Sequence, residues 1–169
     1  MYTIARLGHE HVADYHRLRL AALHDTPTAF TGSIPTEQAT PEAQLRERIA
    51  GASLSTIWGA WDAQGALVGT TGVLHLAQEK IQHKATVYAV YVAPSARGAG
   101  LARALMQAAI EYARAQPALR QLQLAVTVGN DRAHQLYQSL GFVEYGREPE
   151  TIWANGGYHD QILMSLPLR

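Results

Sequence analysis

The spacing of hydrophobic residues changes along this chain, and each change marks a predicted element. Across His9–Leu23 apolar residues recur at steps of three and four, which predicts an amphipathic helix. Across Gln121–Val128 every even-numbered residue is apolar, which predicts a strand with one buried face. The whole pattern reads as a strand, two helices, a β meander, a helix, a strand, another helix and a closing hairpin.

Turn and cap signals give the remaining boundaries. Further strands are predicted at Met1–Leu7, Thr56–Trp61, Ala66–Leu76 and His83–Val92, and a closing hairpin around Asn155–Gly157. Further helices are predicted at Thr40–Ile49 with Gly51 as its stop, at Gly100–Ala115, and at Asp131–Leu140 with Gly141 at C′. The stretch His24–Gln38 contains two prolines and is expected to be a loop. This order predicts an α/β fold with a mixed, largely antiparallel central sheet.

Composition narrows the class of protein. The 169 residues suit one domain, residues 1–169, and 14 basic side chains balance 14 acidic ones. Zero formal charge gives no long-range reason to expect nucleic acid or an anionic membrane as a partner. The absence of cysteine excludes disulfides, thiolate metal sites and a thiol nucleophile. No apolar run is long enough to span a membrane, and the eight histidines have no recognised metal-ligand spacing, so we expect a cytoplasmic protein without a metal site.

The stretch VYVAPSARGAGLARAL, Val90–Leu105, passes from a strand pattern to a helix pattern through a glycine-rich turn. The first amides of a helix lack intrahelical acceptors, and the helix dipole makes that end positive. Glycines remove the side chains there, so phosphate oxygens can approach the backbone. The segment Arg97–Ala102 is therefore a candidate anion cradle. A tight turn that needs positive φ at one or both glycines is the alternative interpretation.

Two common phosphate-binding patterns do not fit this turn. A dinucleotide motif has a third glycine where this chain has Arg103, and the acidic residue expected about 20 residues further on is missing. No Gly-Lys-Ser/Thr follows, so the P-loop pattern also fails. A nucleotide-dependent oxidoreductase stays an alternative that Arg103 disfavours.

A second motif, NDRAHQLYQSLGF, spans Asn130–Phe142 directly after the alternating strand. Asn130 is placed either to cap the short helix or to contact a ligand from its start. Tyr137 lies beside the apolar stripe of that helix. It is either a site residue or a half-buried aromatic that only packs against the core.

Together the two motifs resemble the GNAT superfamily of acyl-CoA-dependent N-acyltransferases, and bacterial members of unassigned substrate in particular. V-x-P-x-x-R-G-x-G-L-A-x-x-L is followed, in the family's order and at its usual spacing, by N-x-x-A-x-x-L-Y-x-x-L-G-F. The resemblance implies a GNAT-like sheet flanked by helices, in which two strands splay apart after the central meander. The pantetheine arm of acetyl-CoA would lie in that gap.

The resemblance also implies which residues bind acetyl-CoA. The residues expected to offer backbone amides to its pyrophosphate are Arg97, Gly98, Ala99, Gly100, Leu101 and Ala102. The strand residues expected to pair with the pantetheine amides are Val90, Tyr91 and Val92. The Asn130 side chain is expected near the cofactor from the neighbouring strand.

The expected reaction moves an acetyl group from acetyl-CoA to a primary amine. Direct attack in a ternary complex is expected, because the chain has neither a cysteine nor a G-x-S-x-G elbow. The Val92 N–H is the expected oxyanion donor. Tyr137 matches the family's usual general acid, which would protonate the departing thiolate.

The general base departs from the family's pattern. Many members carry a carboxylate on the strand before the glycine turn, but Lys84–Val92 contains none. His83 is the nearest titratable residue and becomes the candidate base, directly or through an ordered water. The alternatives are Glu148, Glu150 and Asp160.

The family's acceptors usually enter opposite the cofactor, between the loop that joins the first two helices and the last hairpin. Here these segments are His24–Gln38, with Phe30 and Thr31, and Gly146–Asp160, with Arg147, Glu148, Trp153 and Asp160. The expected partners are acetyl-CoA and an amine of a small molecule or a peptide, without nucleic acid or membrane, and a homodimer is compatible with the resemblance. A non-catalytic acyl-CoA-binding module stays an alternative, supported by the missing strand carboxylate.

Overall fold

One sheet organises this computed structural model, which describes residues 1–49 and 54–169. Its strands are β1 (Thr3–Arg6), β2 (Ser55–Trp61), β3 (Leu67–His75), β4 (Lys84–Val92), β5 (Gln121–Thr127), β6 (Val143–Ala154) and β7 (Gly157–Pro167). The described residues form helices α1 (Val12–Asp25), α2 (Ile34–Gln38), α3 (Glu42–Ile49), α4 (Leu101–Arg114) and α5 (Asp131–Ser139). The strands lie in the order β1-β2-β3-β4-β5-β7-β6. Only the β4–β5 pair is parallel among them, so the predicted mixed, largely antiparallel α/β fold is confirmed.

Hydrophobic side chains cover both faces of the sheet. Ile57 and Trp58 are neighbours on β2 yet belong to different core clusters, because successive side chains of a strand point to opposite faces. One cluster contains buried residues of α4, such as Leu105, and the other contains buried residues of α1 and α3, such as Tyr15 and Leu45. The helices therefore bury their apolar stripes against the two faces of the sheet.

The observed elements differ from the predicted ones mainly before β2. Residues His9–His11 form a 3₁₀ turn, and α1 continues to Asp25 rather than ending at Leu23. The predicted loop His24–Gln38 contains α2, whose N-cap Ser33 accepts a hydrogen bond from the Thr36 amide at 3.4 Å. A serine before a short run with proline in its first turn is a recognisable helix start, so this signal was present in the sequence. The predicted stop at Gly51 lies outside the described residues.

The closing hairpin has the turn that its sequence predicts. Asn155 and Gly156 have φ of 52° and 76°, and Ala154 pairs with Gly157 across them. Positive φ at both central residues is typical of a two-residue turn that matches the twist of the strands.

The strands β4 and β5 separate after a short paired stretch. Their pairing joins Lys84, Ala85 and Thr86 to Gln121, Leu122 and Gln123. Beyond this point β4 stays paired with β3, and β5 stays paired with β7. A gap therefore opens between Val87–Val92 and Leu124–Thr127, as the predicted splayed strands require. None of the described helices is long and apolar enough to cross a membrane.

Candidate functional site

The gap between β4 and β5 is the entrance to a cavity of about 690 Å³. Its walls are the two parted strands, the glycine turn before α4, the first half of α5 and the loop after α1. A cavity of this size is in the range of small-molecule and cofactor sites. Of the residues predicted to bind acetyl-CoA, all but Ala99 line it; they are Val90, Tyr91, Val92, Arg97, Gly98, Gly100, Leu101, Ala102, Asn130 and Tyr137.

The glycine turn brings a run of free backbone amides to the edge of this cavity. Gly98 and Gly100 have φ of 86° and 76°, a conformation that favours glycine. A Cβ built on either residue would meet nothing within 4 Å, so the backbone is bare on that side. The amides of residues 98–103 donate to no other described residue, as expected where a helix begins. With the positive end of the α4 dipole, these amides form a site suited to an anion.

The amide of Val92 faces the gap because of the hydrogen-bonding pattern of β4. Ala93 donates its amide to the Val68 carbonyl oxygen at 2.8 Å, so the adjacent pair Val92 and Gly69 is a non-hydrogen-bonded pair. The Val92 N–H therefore points away from β3 and toward β5. This is the direction that its predicted role as an oxyanion donor requires.

A bulge in β4 lies beside this amide. The register of β3 and β4 shifts between the pairs Thr70–Tyr91 and Gly72–Tyr88, and Ala89 has φ of 52°. The Thr70 hydroxyl donates to the Ala89 carbonyl oxygen at 2.9 Å and holds this unusual backbone. Bulges re-aim strand residues next to active sites. No sequence pattern indicates this bulge, because the positive φ falls on an alanine.

The Arg97 side chain turns back onto β4 and α1. Its Nε donates to the Val92 carbonyl oxygen at 2.9 Å, and its terminal nitrogen is ion-paired with the Asp25 carboxylate. The Tyr91 hydroxyl donates to the same carboxylate at 3.2 Å. Burial and the neighbouring Asp25 raise the pKa of Tyr91, so its hydroxyl stays protonated at neutral pH. These contacts tie the end of α1 to the start of the glycine turn.

Tyr137 is held in place by the end of its own helix. The Phe142 amide donates to the Tyr137 carbonyl oxygen and the Gly141 amide to that of Gln138, at 3.1 and 3.0 Å, which forms a Schellman motif. The rings of Tyr137 and Phe142 pack with centroids 6.1 Å apart. The Tyr137 hydroxyl makes no hydrogen bond with another described residue, and burial raises the pKa of Tyr137. The site thus contains a rigid, protonated hydroxyl with a free hydrogen.

We expect Gly141→Ala to lower the free energy of unfolding by roughly 1–2 kcal/mol, because alanine is strained at φ of 94°. Its Cβ would also lie 3.2 Å from Cδ1 of Leu166. Urea denaturation measures this loss. Gly65→Ala is the control, since Gly65 has φ of 79° in a distant turn and open space around it. Turnover should fall only in Gly141→Ala, and equal turnover in both variants would argue against the motif as the support of Tyr137.

The other predicted residues lie in different places. Asn130 caps α5, where its side-chain oxygen accepts from the Ala133 amide at 3.4 Å, and it also lines the cavity. His83 lies in the turn before β4, at the closed end of the gap, and is not among the lining residues. Its backbone carbonyl accepts from the Arg120 amide at 2.8 Å. The structure does not bring the His83 ring together with Tyr137, and its role as a base stays a prediction.

The carboxylates of the closing hairpin also lie outside the lining of the cavity. Asp160 accepts from the Glu150 amide at 2.9 Å and from Nε of Arg147 at 2.8 Å. These two hydrogen bonds, the Glu150 amide first, lower the pKa of Asp160 and weaken it as a base. Glu148 and Glu150 are exposed on β6.

A second cavity of about 340 Å³ adjoins the first. It lies between the loop after α1 and the closing hairpin, the two segments predicted to receive the acceptor. Phe30 and Thr31 line both cavities, and Trp153 lines the second.

Comparison with known families identifies this arrangement. A family model described as the acetyltransferase (GNAT) family matches residues 19–142, which include β4, the glycine turn and Tyr137. The chain belongs to the GNAT acetyltransferase family. This confirms the family that the two sequence motifs predicted.

Individual GNAT proteins resemble the chain to different extents. A spermidine N(1)-acetyltransferase of Vibrio cholerae serotype O1 is 34% identical over 99 residues, which are 59% of this chain and 56% of that protein. The chain thus spans about half the length of the curated relatives that it matches.

Solved GNAT structures cover nearly the whole chain. An acetyltransferase of the GNAT family from Streptococcus pneumoniae gives a TM-score of 0.84 at 22% identity and covers 99% of both chains. A spermidine N-acetyltransferase from Vibrio cholerae, solved with CoA and spermine, gives 0.78 at 24% identity over 99% of this chain and 95% of that one. At these identities the likeness shows the GNAT fold.

Two further residues of this GNAT site were missed by sequence reasoning. Asp25 ends α1 and pairs with Arg97, 72 positions further along the chain, and no local pattern links them. Arg19 also lines the main cavity, on the helix that was predicted from its apolar stripe alone. Arg19 lies outside the apolar stripe of α1, and this pattern is equally typical of a solvated surface residue.

Proposed function

We propose that this chain is a single N-acetyltransferase domain that transfers an acetyl group from acetyl-CoA to a primary amine. The observation that carries the proposal is that the free amides of the glycine turn and the Tyr137 hydroxyl border one cavity between parted strands. Acetyl-CoA supplies an activated thioester. In the reaction a C–N bond forms as the thioester C–S bond breaks. The products from an ammonium acceptor are an acetamide, the CoA thiol and one released proton.

The residues present fit this donor. A diphosphate needs several N–H donors and positive charge, and the turn offers the amides of residues 98–103 at the start of α4. Arg103 and Arg132 also line the cavity, beside the starts of α4 and α5. The unpaired edge of β4 at Val90–Val92 is suited to hydrogen-bond with the amides of an extended arm.

The polar groups at the reacting end would act in sequence. The Val92 N–H would donate to the carbonyl oxygen on which negative charge develops. Tyr137 would donate its proton to the sulfur that leaves. An ammonium group with a pKa near 10.4 must first lose a proton, for which His83 is proposed as the base. Because His83 precedes β4 and Val92 ends it, a chain of several waters along the gap would have to carry this proton.

We expect His83→Ala to flatten the acidic limb of the pH–rate profile, because the variant has no imidazole at this position to accept the proton of the ammonium group. The profile of kcat/KM measures this change. Gln82→Ala is the control, since it alters the neighbouring exposed residue of the same turn. An unaltered acidic limb in His83→Ala would discard His83 and leave bulk water or another group as the base.

The activity is tested by release of the CoA thiol from acetyl-CoA across a panel of amines, amino acids and peptides. Calorimetry of CoA binding accompanies it. Binding together with acetylation of at least one amine supports the enzyme. Binding without transfer to any acceptor favours a non-catalytic acyl-CoA-binding module, for which the missing strand carboxylate is the motivating observation.

A further inference from the structure

The charged side chains that line the main cavity are all cationic. They are Arg19, Arg97, Arg103 and Arg132. No aspartate or glutamate is among the lining residues, and the second cavity is lined by no charged side chain within the described ranges. An acceptor with several positive charges would find no lining carboxylate to bind there.

Three of these arginines belong to the donor end of the cavity. Arg97 is bonded to Asp25 and to the Val92 carbonyl oxygen. Arg103 lies in the first turn of α4 and donates to the Ser139 hydroxyl at 2.7 Å. Arg132 lies in the first turn of α5, two residues after its N-cap Asn130.

Arg19 stands on the other side, where the acceptor is expected. Its guanidinium carbon lies 4.7 Å from the centre of the Phe30 ring. Phe30 lines both cavities, and its ring contacts Tyr91 edge-on with centroids 6.5 Å apart. A Cβ built on Gly32 would lie 3.1 Å from a terminal nitrogen of Arg19, so this glycine leaves room for the guanidinium. Arg19 is therefore a positioned cation at the junction of the two cavities.

The charge of Arg19 is only partly neutralised. Its carboxylate partner is Glu37, at 3.9 Å from Nε, and the Glu37 side chain is only 7% exposed. Both Glu37 oxygens accept from the same nitrogen of Arg48, at 2.8 and 3.2 Å. Two guanidinium groups thus share one carboxylate and leave a net positive charge. Arg19 lines the cavity, and its guanidinium has five N–H donors in a planar fork, so it is suited to bind a planar anion.

We propose that the amine acceptor carries a carboxylate, as a free amino acid does, and that the Arg19 guanidinium binds it. This inference rests on the proposed acetyl transfer. The attacking nitrogen forms the C–N bond as the thioester C–S bond breaks, and the carboxylate of the acceptor stays unchanged in the N-acetyl product. This acceptor class differs from spermidine, the polyamine after which the Vibrio cholerae relative is named.

Matched pairs of acceptors test this directly on the whole chain with acetyl-CoA. Each pair is an amino acid and its decarboxylated amine, for example methionine with 3-(methylthio)propylamine and phenylalanine with phenethylamine, and spermidine is added. We expect kcat/KM to be roughly 10- to 100-fold higher for the amino acid of at least one pair, the size of a charged hydrogen-bonded contact. Equal or higher values for every decarboxylated amine, or for spermidine, would overturn the inference.

Variants of Arg19 assign the effect to this residue. Arg19→Gln should raise KM for the amino acid by roughly 10- to 100-fold and should change kcat/KM for the decarboxylated amine far less. Arg19→Lys should restore part of the loss, since lysine keeps the charge without the fork. Arg17→Gln is the control, because Arg17 is on the same helix, 62% exposed and paired with Asp14. An equal loss for both acceptors of a pair would overturn the role of Arg19.

The outcomes separate the two proposals. If amines are acetylated without preference for a carboxylate, only the acceptor class is wrong. If CoA binds and no acceptor of any class is acetylated, the proposed function fails and the inference fails with it.

Discussion

Replacing Gly100 by glutamate should abolish CoA binding while the fold survives. The new carboxylate would stand beside the free amides of residues 98–103, where the diphosphate is proposed to bind. Two unit charges 4 Å apart at an effective dielectric constant near 20 repel by about 4 kcal/mol, which is roughly a thousandfold in affinity. Calorimetry with CoA measures the loss, and circular dichroism with thermal unfolding shows whether the fold is kept.

The backbone strain of this change has its own control. Gly100 has φ of 76°, so any side chain there costs about 1–2 kcal/mol in stability. Gly65→Glu places the same residue at φ of 79° in the β2–β3 turn, also in open space and away from the cavity. Both variants should lose similar stability, and only Gly100→Glu should lose CoA. Near-normal affinity in Gly100→Glu would contradict the role of the turn in phosphate binding.

Tyr137→Phe should lower kcat by roughly 10² to 10⁴ and leave CoA affinity nearly unchanged. Loss of a positioned general acid has an effect of this size. Phenylalanine keeps the packing against Phe142, and the Schellman bond to the backbone carbonyl of residue 137 does not involve the hydroxyl. Because the change acts only when charge develops on sulfur, kcat and kcat/KM should fall together.

The pH dependence and a second tyrosine complete this test. Burial raises the pKa of Tyr137 above the ordinary tyrosine value near 10, so its hydroxyl stays protonated below about pH 10. Ionisation of Tyr137 should therefore cause no fall in wild-type activity below that pH. Tyr145→Phe removes an exposed hydroxyl on β6 and should be silent. An unchanged kcat in Tyr137→Phe would remove Tyr137 as the acid.

Predictions from local sequence patterns were confirmed where the local backbone conformation determines which residue type fits. Gly141 lies at C′ of α5 with φ of 94°, as predicted from the end of an apolar stripe before a glycine. Asn155 and Gly156 form the predicted turn of the closing hairpin. The main difference is at His24–Gln38: its two prolines predict a loop, but one of them lies in the first turn of α2, where proline is tolerated.

The contacts of the site could not be predicted in the same way. Glu37 is buried between two arginines from different helices, although its own sequence neighbourhood is that of a polar loop. The Asp25–Arg97 pair and the bulge at Ala89 likewise depend on which strand and helix lie beside them. Such contacts join residues far apart in the chain, so their energies do not appear in any local pattern of polarity.

The family was predicted from the resemblance of two sequence motifs. The sequence by itself determined the strands and helices around the glycine turn and the unpaired backbone amides at the start of α4. These follow from short-range physics: side-chain periodicity, glycine at positive φ, and unpaired amides in a first helical turn. Only the tertiary structure decided how far β4 and β5 stay paired, where the gap opens, and that Arg19 faces it with its charge only partly neutralised. The width of the gap and the balance of charge around it depend on strands and helices that are distant in the sequence and come together only when the chain folds.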